Sequence, residues 1–343
     1  MSAIFAPSPA FLLKMRTGHR YHDGMQAQSL LSAARIGQAR GLIDPVFLNM
    51  PLVSDPGLDR DLGVELHLKL ELDNPIRSFK GRGTGFFVAT DLPAGAPVVA
   101  ASAGNFGQGL AYNARRRGHA VTVFAARGAN TAKIDAMRRF GAEVMVDGAD
   151  FDEAKSLAQA HAERLGHVFV EDGAHPSIAE GAGTIAAEVT DALTDIHAFL
   201  VPLGNGALAT GVGCWLKAAS PNTKVIAVVA EGAACMALSW REGRIVTTER
   251  ADTIGDGIAV RVPVPLALDC MAKTVDDILL VSDSDLLAAM SLIDARIGRR
   301  IEPAGVAGLA GLLRHRRDFT GQRVATVLCG DNLTNEQIAM WFG

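Results

Sequence analysis

The sequence predicts an α/β protein with two open, mostly parallel sheets and helices on both faces. Two observations carry that prediction. From about residue 97, short apolar runs rich in β-branched residues alternate with longer amphipathic segments, as parallel strands covered by crossover helices require. The 343-residue chain also holds 36 glycines, enough for the many tight strand–helix turns of such a fold.

The elements follow in order. Leu66, Leu68, Leu70 and Leu72 mark an apolar, strand-like run leading to Ser78-Phe79-Lys80-Gly81-Arg82-Gly83, whose glycines can open a helix. A first series reads strand Val98–Ala101, helix 107–117, strand Val121–Ala125, helix 131–140, strand Glu143–Val146, helix 152–165 and strand 167–170. A second reads helix 178–192, strand Ala198–Pro202, helix 207–218 and strand Lys224–Ala230. Near the end come helices 284–297 and 304–314 and strand 324–329. Residues 232–283 carry Pro and Gly without clear periodicity and read as a long connection over the surface or around a site.

Composition is that of an ordinary globular protein long enough for two cores: 49% hydrophobic, 20% charged, formal net charge −4. The densest basic spot, Arg115-Arg116-Arg117, falls at a helix end, where it complements the helix dipole, and nothing suggests a nucleic-acid partner. No run nears the roughly 20 apolar residues of a membrane helix. Residues 1–13 lack the basic segment and long apolar core of a secretory signal. Cys214, Cys235, Cys270 and Cys329 form no CxxC pair and no zinc-type spacing, so reduced thiols in a cytoplasmic protein are expected.

The chemistry gathers at turns after strands, where α/β sheets bind ligands. Lys80 stands between an apolar strand and a glycine-rich helix start. A lysine shielded there loses charge and becomes an amine nucleophile for an aldehyde, although most lysines are solvated charges. Ser102-Ala103-Gly104-Asn105 opens a helix whose first amides suit a carboxylate; alternatively Ser or Asn simply caps it. Gly204-Asn205-Gly206-Ala207-Leu208 opens another helix and can cradle a single phosphate, or is a structural turn; it is neither a Walker loop nor a dinucleotide fingerprint. Cys329, after the last strand, is either a buried small residue or a weak hydrogen-bond partner for a neutral ring nitrogen. An amine nucleophile, a phosphate cradle and small polar turns together point to pyridoxal phosphate.

Over residues 49–332 the chain resembles the fold-type II pyridoxal phosphate enzymes, with their tryptophan synthase β-like fold, and within them the serine/threonine dehydratase family. Five segments match in order: Asn74-Pro75-Ile76-Arg77-Ser78-Phe79-Lys80-Gly81-Arg82-Gly83, Ala101-Ser102-Ala103-Gly104-Asn105, the 204–208 turn, Thr253-Ile254-Gly255-Asp256-Gly257-Ile258 and Ile301-Glu302-Pro303-Ala304-Gly305. The resemblance implies that Lys80 holds the cofactor and is the catalytic base at Cα. Phe79 would pack near the cofactor ring and Asn105 would bond its 3′ oxygen. Gly204, Asn205, Gly206, Ala207 and Leu208 would bind its phosphate, and Cys329 would face the ring nitrogen. Ser102, Ala103, Gly104 and Asn105 would hold the substrate carboxylate.

The resemblance further implies a large cofactor-binding domain (1–96 and 176–343), a small mobile domain (97–175), and a homodimer or homotetramer. The implied partner is a small amino acid. The implied activity is that of an ammonia-lyase (dehydratase): loss of the β-hydroxyl of a threonine- or serine-like amino acid, giving a 2-oxo acid and ammonia. A thiol at the ring nitrogen, rather than a carboxylate, makes a weaker electron sink and favours elimination over transamination.

Some positions depart from the family pattern. Phe106 replaces the usual His, and Asn205 and Ala207 replace glycines. Ala103 stands where serine racemases carry Ser, which argues against racemisation. Arg77 occupies a frequent Gly position and is either a solvated cation or a partner for a second substrate carboxylate. Glu231 matches a cation-binding carboxylate, but Ala237 replaces its acidic partner, which leaves a monovalent or divalent cation undecided. Glu302 is either structural or a proton carrier. The regulatory domain of biosynthetic threonine dehydratases is missing, so isoleucine feedback is not expected. The competing readings are a β-replacing synthase of the cysteine or threonine synthase kind, a dehydratase for a bulkier or dicarboxylic hydroxy amino acid, and a non-catalytic binding protein.

Overall fold

A computed structural model describes residues 30–343. The reading of residues 1–13, and the start of the 1–96 segment, lie outside the described residues.

Among the described residues, ten strands form two sheets. The larger has the order β1 (Leu52–Val53), β2 (Glu65–Leu70), β10 (Arg323–Leu328), β7 (Ala198–Pro202), β8 (Lys224–Ala230), β9 (Asp277–Val281). All its pairings are parallel except β1 against β2. The smaller is wholly parallel in the order β5 (Glu143–Val146), β4 (Val121–Ala125), β3 (Val98–Ala101), β6 (Val168–Val170).

Alternation along each strand feeds two cores per sheet. Leu200 and Val228 face helices Asp283–Ile297 and Ala307–Arg314, whereas Phe199, Val201 and Val229 face helices Pro176–Ala192, Ala207–Ala219 and Pro265–Thr274. In the smaller sheet Val98 and Ala100 pack with Leu110 and Met137, and Val99 packs with Ala154, Ala158 and Ala162 of helix Phe151–Leu165. Helix Pro176–Ala192 is buried along nearly its whole length because small residues let its neighbours close in. A Cβ on its Gly181 would lie 2.6 Å from the carbonyl of Arg82.

Residues 232–283 correct the expectation of a long connection. They hold helices Cys235–Glu242 and Pro265–Thr274 and the edge strand β9, paired from Ile226 with Asp277 to Ala230 with Val281. Two short helices and a partly exposed edge strand give weak periodicity. The irregular part shrinks to residues 243–264, which include one 3₁₀ turn, Asp256–Ile258. Helix Asn335–Phe342, opened by a Thr334–Gln337 capping box, also follows the last strand. Arg115 and Arg116 do end a helix, Asn105–Arg116, and Arg117 donates to the Leu42 carbonyl at 2.9 Å. All four cysteines are free thiols. Among the described residues no helix is long and apolar enough to cross a membrane.

Candidate active site

The strands β2, β3, β6, β7 and β10 end around one cavity of about 760 Å³, within the range of small-ligand sites. Its lining includes every site residue expected from the sequence: Phe79 and Lys80, then Ser102 to Asn105, Gly204 to Leu208, and Cys329.

Lys80 is the first residue of helix Lys80–Thr90. The segment between β2 and this helix docks on the end of β10, at first in the parallel sense of β2 and then, at Ser78, antiparallel. Glu71 N–H donates to the Leu328 carbonyl at 2.8 Å, Ser78 pairs with Gly330 in an isolated bridge, and Phe79 N–H donates to the Cys329 carbonyl at 3.3 Å. This docking sets Phe79 and Lys80 beside Cys329. The Lys80 ammonium lies 4.6 Å above the Phe79 ring centroid and 2.5 Å from Asp172 Oδ2.

The helix start is anchored from below by a charge cluster that the sequence did not single out. Arg82 is fully buried; it donates to both oxygens of Glu71 and both of Glu188, at 2.7–2.9 Å, and Lys69 Nζ lies 2.6 Å from Glu188. Burial opposes ionisation of Glu188. The hydrogen bond and charge of Arg82, with Lys69 and the Asn49 amide, outweigh it and hold the carboxyl down at about 2. A charged residue inside a Gly-rich, apolar motif was the one sequence signal for this cluster.

The turn after β7 fits a phosphate. Gly206 has φ +95, in the left-handed region open to glycine, and no side chain caps the helix Ala207–Ala219 that follows. A Cβ on Gly204 would lie 2.8 Å from the Gly257 carbonyl, and one on Gly206 2.7 Å from Ala267 Cβ, so the loop packs too closely for larger residues. Gly206, Ala207 and Leu208, at the positive dipole end of this helix, line the cavity, as an anion site requires.

The turn after β3 is braced from within. Ser102 Oγ accepts from Gly104 and Gly107 N–H at 3.2 and 3.0 Å, so the hydroxyl braces the loop, and helix Asn105–Arg116 begins two residues earlier than expected. Asn105 Nδ2 donates to Glu302 Oε1 at 2.5 Å, and Asn332 Nδ2 donates to Asn105 Oδ1 at 2.8 Å. One amide hydrogen of Asn105 remains for a ring oxygen. Glu302 is buried, its Oε2 has no hydrogen-bond partner, and burial pushes its carboxyl above the usual range against the pull of Lys133, whose Nζ lies 3.8 Å away. Lys133 in turn contacts Asp256 at 2.6 Å. Burial works against the Lys133 charge, yet Glu302 and Asp256 outweigh it and raise its proton affinity.

Cys329 is 6% exposed, and burial pushes its thiol far up, so it stands in the cavity as a neutral group. A neutral thiol, a lysine, an uncapped helix start and a free amide hydrogen fit the ring nitrogen, aldehyde, phosphate and phenolic oxygen of one cofactor.

Two readings left open by the sequence narrow. Arg77 does not line the cavity; its side chain turns outward and pairs with Asp331 at 2.7 Å. Its φ of +53 explains why glycine suits this position. Glu231 pairs with Arg314 at 2.7 Å, and among the described residues no three His, Cys, Asp or Glu side chains gather to hold a metal. Phe106 and residues 249–252 and 256–262 line the cavity, as expected of parts that shape a substrate pocket.

The fold and this site define an α/β enzyme class in which a lysine anchors a phosphorylated aldehyde between two sheets. Residues 43–330 match the family described as pyridoxal-phosphate dependent enzyme, and the chain belongs to that family. It is 34% identical over 306 residues to an L-threonine ammonia-lyase of Thermotoga maritima, covering 89% of this chain and 76% of the relative. It is 33% identical over 287 residues to a biosynthetic L-threonine dehydratase of Pasteurella multocida, covering 82% of this chain but 56% of the relative. The chain thus spans little more than half the length of that relative. The processed form of threonine deaminase isoform 2 from Solanum lycopersicum superposes with a TM-score of 0.83 at 29% identity, covering 92% of this chain and 94% of that one.

Proposed function

We propose that the protein is a pyridoxal-phosphate-dependent ammonia-lyase that removes the β-hydroxyl of a threonine- or serine-like amino acid, yielding a 2-oxo acid and ammonia. The observation that carries this reading is the neutral, buried Cys329 thiol on the same cavity wall as Lys80. When bound, the cofactor supplies an electron sink for charge developing at Cα, and a thiol at its ring nitrogen keeps that sink shallow enough to favour prompt β-elimination.

The chain's own residues do the rest. Lys80 is the cofactor-bearing amine and removes the Cα proton. The amides of residues 204–208 hold the phosphate, and Asn105, oriented by Glu302 and Asn332, donates to the ring oxygen. Residues 102–105 hold the substrate carboxylate against a helix N-terminus. Ala103 offers no second proton donor or acceptor on the far face of Cα, which disfavours racemisation. The 97–175 segment, which carries the smaller sheet, acts as a small mobile domain over the large domain of segments 1–96 and 176–343, and assembly is dimeric or tetrameric; sedimentation checks the latter.

The test is a panel of β-hydroxy amino acids incubated with the holoprotein, with and without an added thiol. Release of 2-oxo acid that the thiol does not divert supports the proposal. A thioether product marks a replacing synthase, and no product from any substrate overturns the assignment.

A further inference from the structure

We propose that Asp172 is a catalytic residue at the reacting nitrogen, holding a proton on the Lys80–cofactor linkage. The proposal deepens the reading of Lys80 as the cofactor-bearing residue and rests on it.

Asp172 lies just beyond the end of β6, in a turn set by packing against the phosphate cradle. The next residue, Gly173, has φ +85, and a Cβ there would lie 2.6 Å from the Asn205 carbonyl. The backbone that carries Asp172 is therefore packed closely against the cradle. Its Oδ2 contacts Lys80 Nζ at 2.5 Å, while its Oδ1 is buried with no hydrogen-bond partner. The two side chains are only 13% and 17% exposed.

The other buried or half-buried charged groups around the cavity lie beside opposite charges. Glu171 is held by Lys155, Asp152 by Arg261, and Asp256 and Glu302 by Lys133. Glu249, Arg250 and Asp252 stand exposed at the rim, Asp150 lies 3.9 Å from Arg261, and Cys329 is a neutral thiol. Asp172 is thus the carboxylate left to serve Lys80. A carboxylate beside a nitrogen that carries a carbonyl-derived group favours its protonated form, and that form is the better electrophile for an incoming amine. The same carboxylate gives the released Lys80 side chain a fixed place within the cavity.

The test is spectroscopic and does not depend on which substrate is used. The visible-edge absorbance of the lysine–cofactor linkage is titrated against pH in the wild-type holoprotein, Asp172→Asn and Asp172→Glu. Asp172→Asn should move the midpoint down by about one to three pH units, the reach of an adjacent opposite charge. Asp172→Glu, which keeps the charge and guards against a folding defect, should stay near the wild type. An unchanged midpoint in Asp172→Asn overturns the proposal, as does a Glu variant that falls as far as the Asn variant. So does an Asp172→Asn protein that folds but forms no linkage at any pH, because the role is then structural. Lys80→Ala tests the underlying reading separately: a band that persists there removes Lys80 as the anchor, whatever Asp172 does.

Discussion

The side-chain amide of Asn105 donates to the buried Glu302 carboxylate across 2.5 Å, joining the first turn after β3 to the segment before helix Ala307–Arg314. The bond fixes the rotamer of Asn105, and Asn332 fixes its other end. A charge-assisted bond of this kind contributes about 1.5–3 kcal/mol. Glu302→Ala should therefore raise the cofactor Kd about ten- to a hundredfold. Glu302→Gln, which keeps an acceptor oxygen, should recover most of the loss. Absorbance titration of each apoprotein with pyridoxal phosphate checks both.

The Arg82 cluster makes stability depend on acid. Glu188 is held at about 2 against an ordinary 4.5, a depressed carboxylate. Its contribution is fully present above 4.5 and is lost as pH falls toward about 2. Urea midpoints from about pH 6 to about pH 3 should fall more steeply in the wild type than in Glu188→Gln. Arg82→Met strands the buried Glu71 carboxylate, leaves Glu188 with Lys69 alone, and should cost about 3–5 kcal/mol at neutral pH.

Gly206→Ala should disturb the cradle before it disturbs the fold. The φ of +95 and the 2.7 Å approach to Ala267 strain any Cβ at that position. Strain of about 1–3 kcal/mol at the phosphate amides should weaken cofactor binding by about five- to 150-fold. Gly104→Ala is the control for a cavity-lining turn, because a Cβ there meets nothing within 4 Å.

Cys329→Ser should keep most of the elimination activity, since it preserves a small neutral group at the ring nitrogen. Cys329→Asp brings a second carboxyl within electrostatic reach of Glu302 in a buried setting. It should lower both thermal stability and kcat, measured on the substrate that the panel identifies.

Much of the fold was legible because its parallel strands are short, mostly apolar runs set between helices, and all but the edge strand Glu143–Val146 among those that follow are buried. Val98–Ala101, Val121–Ala125, Glu143–Val146, Ala198–Pro202 and Lys224–Ala230 were read to the residue. Helix starts were read late where glycine or proline precedes the periodic part, as at Asn105 and Pro176. β9 was missed because its apolar run, Asp277–Val281, lies inside a Pro- and Gly-containing stretch that reads as one connection. The residues expected at the site line one cavity because each follows a strand end. What the sequence hid are partnerships between distant segments. Asp172 with Lys80, Glu188 with Arg82 and Asp331 with Arg77 are separated by 92, 106 and 254 positions, and no local spacing encodes them.

The claim that matters most is that Lys80 is the amine that bears the cofactor. The protein is loaded with pyridoxal phosphate, the linkage is reduced with borohydride, and the digested peptides are mapped by mass. The account predicts one stoichiometric pyridoxyl phosphate label, on Lys80. A label on Lys133, Lys155 or any other lysine, or no label on a folded protein, would contradict it.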